Sequence, residues 1–89
     1  MTEKKVAMLV RRNQPEALRV AGGLTLTDHE VSVFVMDRPL AEDEAVQEQL
    51  EVLDFADIEP VPAYPGEEGG LGPEELASRL AGCDMVLSL

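Results

Sequence analysis

An α/β fold is predicted by the order of apolar and helical segments: an open, mainly parallel four-stranded sheet with helices on both faces, arranged βαβαβαβ. The apolar runs of the 89-residue chain are continuous rather than alternating, which is typical of strands that helices cover on both faces. Segments of helical periodicity separate these runs. Successive strands begin near residues 6, 31, 61 and 85, a spacing that suits right-handed βαβ crossovers. We expect one domain over residues 1–89.

Four short segments are the candidate strands. Residues 6–10 and 85–89 are almost entirely apolar, and residues 31–36 are rich in β-branched side chains. The segment at residues 60–65 contains three prolines, which cannot donate to a ladder of hydrogen bonds. We therefore expect the third strand to be short or irregular.

The first helix has a recognisable start and a weak point. Asn13 is a suitable N-cap, with Glu16 three residues later as in a capping box. Apolar residues then recur at helical spacing as far as residue 24. Gly22 and Gly23 weaken this helix, and they also permit the close approach of a neighbouring element.

Two further helices are expected later in the chain. Apolar residues at helical spacing predict the second over residues 41–55. The third is predicted to begin at Pro73, because proline is favoured in the first helical turn, and to end at Gly82, because glycine is favoured just after a helix. The glycine-rich segment 65–73 is expected to be a mobile loop.

The glycine-rich segment does not predict a nucleotide site. Gly70 and Gly72 follow a strand and precede a helix, but Glu75 stands where the dinucleotide fingerprint has its third glycine. Acidic side chains within and after the segment would repel a pyrophosphate. We expect no dinucleotide and no other cofactor.

Charge and composition exclude several function classes. The net charge is −11, and residues 39–89 contain thirteen acids and one base, so a nucleic-acid partner is not expected. Three aromatic residues are too few for a base-stacking platform, and one cysteine excludes an internal disulfide and a multi-cysteine zinc site. No apolar run approaches the length of a membrane span. We expect a soluble, cytoplasmic protein with no membrane or metal association.

The basic side chains point to one candidate binding site. Arg11, Arg12 and Asn13 follow the first predicted strand, and Asp37 and Arg38 follow the second. Ligands of open α/β sheets bind beyond the carboxyl ends of the strands, and the start of the first helix also favours an anion. Two interpretations stay open. The arginines pair with Asp37 or with the acidic second helix, or they bind a small anion such as sulfate, phosphate or thiosulfate.

Cys83 and His29 are expected at the opposite, amino edge of the sheet. Cys83 follows the third helix, where the negative end of the helix dipole and the adjacent Asp84 make it a poor nucleophile. We expect a small buried residue at Cys83 and a solvated turn residue at His29, with no catalytic or metal-binding role for either. A stripe of carboxylates on the second helix is expected to face solvent: Glu44, Glu48 and Glu51.

The first half of the chain resembles the DsrE/DsrF-like family. The resemblance is carried by KVAMLV at Lys5–Val10, by GLTLTDH at residues 23–29 and by EVSVFV at Glu30–Val35. It is clearest over residues 4–37 and continues faintly at residues 83–87. The family comprises small sulfur-relay proteins with a flavodoxin-like fold, commonly found as homo-oligomers. The resemblance therefore implies the strand order 2-1-3-4 and self-association.

The resemblance also implies a function, although the chain departs from the family's pattern. Members that carry persulfide sulfur do so on a cysteine in a ligand-side loop, whereas residues 64–73 contain none. The chain also ends at the fourth predicted strand, where members continue. We expect a shortened, non-catalytic, oligomeric accessory or partner subunit in sulfur trafficking. Two alternatives are a binding module for a small oxyanion at Arg11, Arg12, Asn13 and Arg38, and a sulfurtransferase that uses Cys83.

Overall fold

The computed structural model describes residues 4–27, 29–64, 66 and 70–89. The strands are Lys5–Val10 (β1), Glu30–Val35 (β2), Val61–Pro62 (β3) and Met85–Ser88 (β4). The helices are Gln14–Leu24 (α1), Glu44–Phe55 (α2) and Pro73–Ala81 (α3). Every strand pairing is parallel, so the predicted α/β class and the βαβαβαβ order are confirmed. The expectation for the loop at 65–73 lies largely outside the described residues.

The strand order is β3-β2-β1-β4, and the expected order 2-1-3-4 was wrong. Proline explains the difference, because Pro62 has no N–H to donate and prolines are confined to the edge of a sheet. The expected order would have put this strand between two neighbours. In the observed order β3 lies at one edge, pairs only with β2 and is two residues long, as its prolines predict.

Helices cover both faces of the sheet, as predicted. The chain steps from β1 to β2 to β3 in one direction, so right-handed crossovers put α1 and α2 on the same face. The connection to β4 runs back across the sheet, which puts α3 on the opposite face. The core beneath α1 and α2 consists of Met8, Val10, Ala17, Leu18, Ala21, Val33, Val46 and Leu53.

The close approach predicted at the glycine pair occurs at one of the two positions. A Cβ atom on Gly22 would lie 3.3 Å from Val52 Cγ1, so this glycine lets α2 pack against α1. A Cβ atom on Gly23 would meet nothing within 4 Å. The close contact between the helices therefore favours a glycine at position 22 and places no such demand on position 23.

The predicted capping box of α1 and the predicted start of α2 need correction. Asn13 is the N-cap of α1, but its side chain makes no capping hydrogen bond, and Glu16 pairs with Arg19 instead of closing a capping box. Helix α2 begins at Glu44 rather than 41, because the Asp43 side chain accepts a hydrogen bond from Val46 N at 2.9 Å. The predicted bounds of α3 are confirmed. No helix in the described part of the chain is long and apolar enough to cross a membrane.

Candidate functional site

The carboxyl ends of β1 and β4 form the natural ligand position of this sheet. The chain leaves β1 toward β2 on one side, whereas β4 lies on the other side, so the strand order reverses between β1 and β4. A crevice opens at such a reversal in doubly wound sheets. Here it is a shallow space of about 340 Å³, which we call the switch-point crevice. Its lining residues are Arg11, Arg12, Asp37, Ser88 and Leu89.

Backbone hydrogen bonds hold the end of β4 against the start of α1. Asn13 N donates to Leu89 O at 2.9 Å, and Leu89 N donates to Leu9 O at 3.1 Å. Asn13 therefore contributes to this edge through its backbone. The two arginines between Leu9 and Asn13 lie directly beside the end of β4.

Arg11 is held from two sides. Its Nε atom donates to Ser88 Oγ at 3.0 Å, and its Nη1 atom lies 3.6 Å from Asp37 Oδ2. Both partners of the ion pair are exposed, at 42% and 57% of their side-chain surface, so solvent weakens their attraction. Of the three arginines at this edge, only Arg11 therefore pairs with Asp37.

A tight turn after β2 brings Arg38 to the same edge. Arg38 N donates to Met36 O at 2.7 Å, and Asp37 between them has a φ of 66°, in the left-handed region where asparagine and aspartate are enriched among non-glycine residues. This turn points the chain back toward β1. As a result, Arg38 Nη2 donates to Arg12 O at 3.3 Å. The guanidinium of Arg12 is exposed and has no hydrogen bond or ion pair to a described residue.

Gln14 is a positioning residue that sequence reasoning missed. Only 3% of it is exposed, and it is the one buried polar residue in the described part of the chain. Its Nε2 atom donates to Pro39 O at 3.1 Å, and its Oε1 atom accepts from Ala41 N at 2.8 Å. These bonds fix the segment after Arg38 to the first turn of α1. Nothing in the local pattern distinguishes this glutamine from a solvated one.

The other polar candidates lie away from the crevice. Tyr64 follows β3 at the far edge of the sheet, and β2 separates β3 from β1. Cys83 lies at the amino edge, as predicted, where Asp84 N donates to Lys5 O at 2.7 Å. Cys83 is only half-buried rather than buried, and its Sγ lies 3.5 Å from Arg79 O.

His29 is not the solvated turn residue that was expected. The ring is half-buried in a recess beside the end of α2, and its Nδ1 atom is buried with no hydrogen-bond partner in the described structure. His29 and Cys83 line different recesses. Across the described ranges no three His, Cys, Asp or Glu side chains form a group that could hold a metal ion. The carboxylate stripe at Glu44, Glu48 and Glu51 is exposed, as predicted.

The sequence matches no protein-family model, and no curated protein or solved structure is significantly similar to it. The resemblance to the DsrE/DsrF-like family therefore stays a prediction.

Proposed function

We propose that this protein binds a small oxyanion in the switch-point crevice. The observation that carries this function is the meeting of two arginines and the Ser88 hydroxyl at the reversal of strand order. Three of the seven basic residues of a chain with net charge −11 lie at this one edge. Their clustering favours an anion at this carboxyl edge of the sheet.

The available hydrogen-bond donors suit a tetrahedral oxyanion. The Arg12 guanidinium is a planar fork of donors that binds two oxygens at once. Arg11 keeps its Nη2 group for a ligand, because Ser88 engages its Nε atom and Nη1 lies 3.6 Å from Asp37 Oδ2 in an exposed ion pair. The hydroxyl of Ser88 supplies a further donor. Arg38 adds positive charge at the rim through its contact with Arg12 O.

Thermal denaturation with sulfate, phosphate and thiosulfate, against chloride at equal ionic strength, tests this function. A ligand at about 100 times its Kd stabilises the folded state by about 2.7 kcal/mol, which raises Tm by roughly 10 °C in a domain of this size. We expect the double variant Arg11→Ala/Arg12→Ala to lose this rise. The matched control Arg79→Ala, which removes an exposed arginine at the opposite edge, should keep it. Equal small rises in Tm for wild type, the double variant and the control would mean that the anions act by general salt exclusion and do not bind in the crevice.

A role as a subunit of a homo-oligomer is the second candidate, and the exposed edge at β4 favours it. Met85 and Val86 are 43% and 45% exposed, and β4 pairs only with β1 within the described sheet. An apolar edge strand without lysine or proline is prone to pair with another chain. A second copy beside β4 would cover it. The family resemblance alone implies the finer role that we propose for such an oligomer, a cytoplasmic, non-catalytic accessory subunit in sulfur trafficking.

Sedimentation velocity at about 100 µM protein tests the oligomer, because a lysine on an edge strand opposes such pairing. We expect wild type to sediment as a dimer or larger closed assembly and Val86→Lys as a monomer. The control Ser78→Lys adds the same single positive charge on the exposed surface of α3 and should leave the assembly intact. A wild-type monomer at this concentration contradicts the oligomer without affecting the anion site.

A further inference from the structure

A second exposed apolar surface lies far from the crevice, between the carboxyl-terminal halves of α1 and α2. We call it the α1–α2 groove, and six of its residues are Gly22, Gly23, Leu26, Val52, Phe55 and Ala56. It has a volume of about 530 Å³. Phe55 is 93% exposed and Leu26 is 88% exposed, which is unusual for such large apolar side chains. Because Gly22 and Gly23 have no side chains, the surface between Leu26 and Phe55 is recessed.

The residues of the groove are spaced as in a helix-docking site. Gln49 and Val52 of α2 and Ala56, which caps its end, lie three and four residues apart on one side of the groove. Gly22 near the end of α1 and Leu26 in the turn after it line the other side. Grooves of this kind, bounded by two helices, bind an amphipathic helix through apolar residues at similar intervals.

One side of the groove is strongly acidic. Glu48 precedes Val52 by four residues and Glu51 precedes Phe55 by four, so both carboxylates lie on the same side of α2 as these apolar residues. Both are exposed, and neither forms an ion pair with a described residue. No basic residue occurs anywhere in α2. The groove therefore has a negative rim on its α2 side, whereas Arg19, which lines its α1 side, is already paired with Glu16.

We propose that the α1–α2 groove docks a basic amphipathic helix of a partner protein. Apolar residues of that helix fill the space between Leu26, Val52 and Phe55, while lysines or arginines at its flank pair with Glu48 and Glu51. Opposite charge across an interface accelerates association and selects the partner. A second copy of this chain is the poorer occupant, because it brings the same carboxylates and a net charge of −11 to the interface.

The test uses a designed, fluorescein-labelled helical peptide of about 18 residues, roughly five turns, with leucines at three- and four-residue spacing and lysines on both flanks. Its binding is followed by fluorescence anisotropy. We expect a Kd on the order of 10 µM for the lysine peptide and at least about tenfold weaker binding for the same peptide with glutamates in place of lysines. In wild-type protein the amide signals of Gly22 and Gly23 should shift on titration.

Protein variants separate the apolar contribution from the charge contribution. Leu26→Ser/Phe55→Ser should weaken binding by at least about tenfold, and both residues are exposed enough for the fold to persist. Glu48→Gln/Glu51→Gln should weaken it about threefold and reduce its salt dependence. The matched control Glu74→Gln/Glu75→Gln changes the net charge equally on α3 and should have no effect.

Three results would overturn this inference. The first is that the glutamate peptide binds as tightly as the lysine peptide. The second is that the α3 control weakens binding as much as the α2 variant. The third is that the protein is a dimer and that Leu26→Ser/Phe55→Ser dissociates it. The last result would make a second copy the occupant. None of these measurements involves the arginines of the crevice, so they leave the proposed anion site untouched.

Discussion

The two faces of the sheet are packed very differently. Beneath α1 and α2, eight hydrophobic residues of the described chain are buried in one cluster. Beneath α3 only Ala7, Leu9 and Phe34 are buried, and no residue of α3 itself is. Both faces use leucines at helical spacing, so the difference does not come from the local pattern.

The number of helices on each face explains the difference. Helices α1 and α2 bury residues against each other as well as against β1 and β2, and Gly22 allows them to approach closely. Helix α3 lies alone on its face, where solvent reaches Leu76 and Leu80 from the side. Hydrophobic stabilisation follows the area removed from water, so it is concentrated in the first half of the chain.

The largest difference between the two faces is expected in the unfolding free energy lost when a leucine is changed to alanine. Leu18→Ala removes a fully buried side chain of α1 and should cost about 3 kcal/mol of unfolding free energy, because it leaves a cavity. Leu76→Ala removes a half-buried side chain of α3 and should cost about 1 kcal/mol. Urea denaturation measures both. Equal costs would mean that the faces are equally well packed in solution.

Hydrogen exchange should show the same asymmetry without any mutation. Amides in α3 are expected to exchange at least about tenfold faster than those in the middle of α1, because a helix with few buried contacts opens locally at lower cost. Native-state exchange followed by NMR gives both rates in one sample. Uniform protection across the two helices would show that the domain opens only as a whole.

Alanine substitutions at the glycine pair test how closely α1 and α2 approach each other. Gly23→Ala should stabilise the protein by about 0.5–1 kcal/mol, because alanine is the better helix former and the new methyl group meets nothing. Gly22→Ala should gain less, since its Cβ would lie 3.3 Å from Val52 Cγ1. Thermal denaturation of the two variants is the check. A larger gain at position 22 would argue against the close helix contact.

The smallest effect is expected from the ion pair on the exposed face of α1. Arg19 Nε donates to Glu16 Oε2 at 3.0 Å, and this hydrogen bond lowers the pKa of the Glu16 carboxyl. A lowered folded-state pKa means that the pair's contribution is complete above the unfolded value of about 4.3 and is lost as pH falls through the folded value. NMR titration of Glu16 should show this pKa, and Arg19→Ala should return it toward the ordinary range.

The candidate site was only partly predictable. Arg11, Arg12 and Arg38 follow from the rule that ligands bind beyond strand ends, and the chain does bring them to one edge. Ser88 was missed, because the expected order 2-1-3-4 separated β4 from β1. The prolines of β3 were the available signal, since a strand that lacks ladder donors belongs at an edge.

The α/β class, the alternation of strands and helices, and the start of α3 at Pro73 were predictable, because they depend on periodicity and on residues close together in the chain. The full strand order, the burial of Gln14 and the exposure of Val86 depend on packing between distant segments. Backbone hydrogen bonds between parallel strands are the same whichever strand is the neighbour, so they do not select the order. Which strands meet, and which side chains water still reaches, depends on how three helices distribute over two faces.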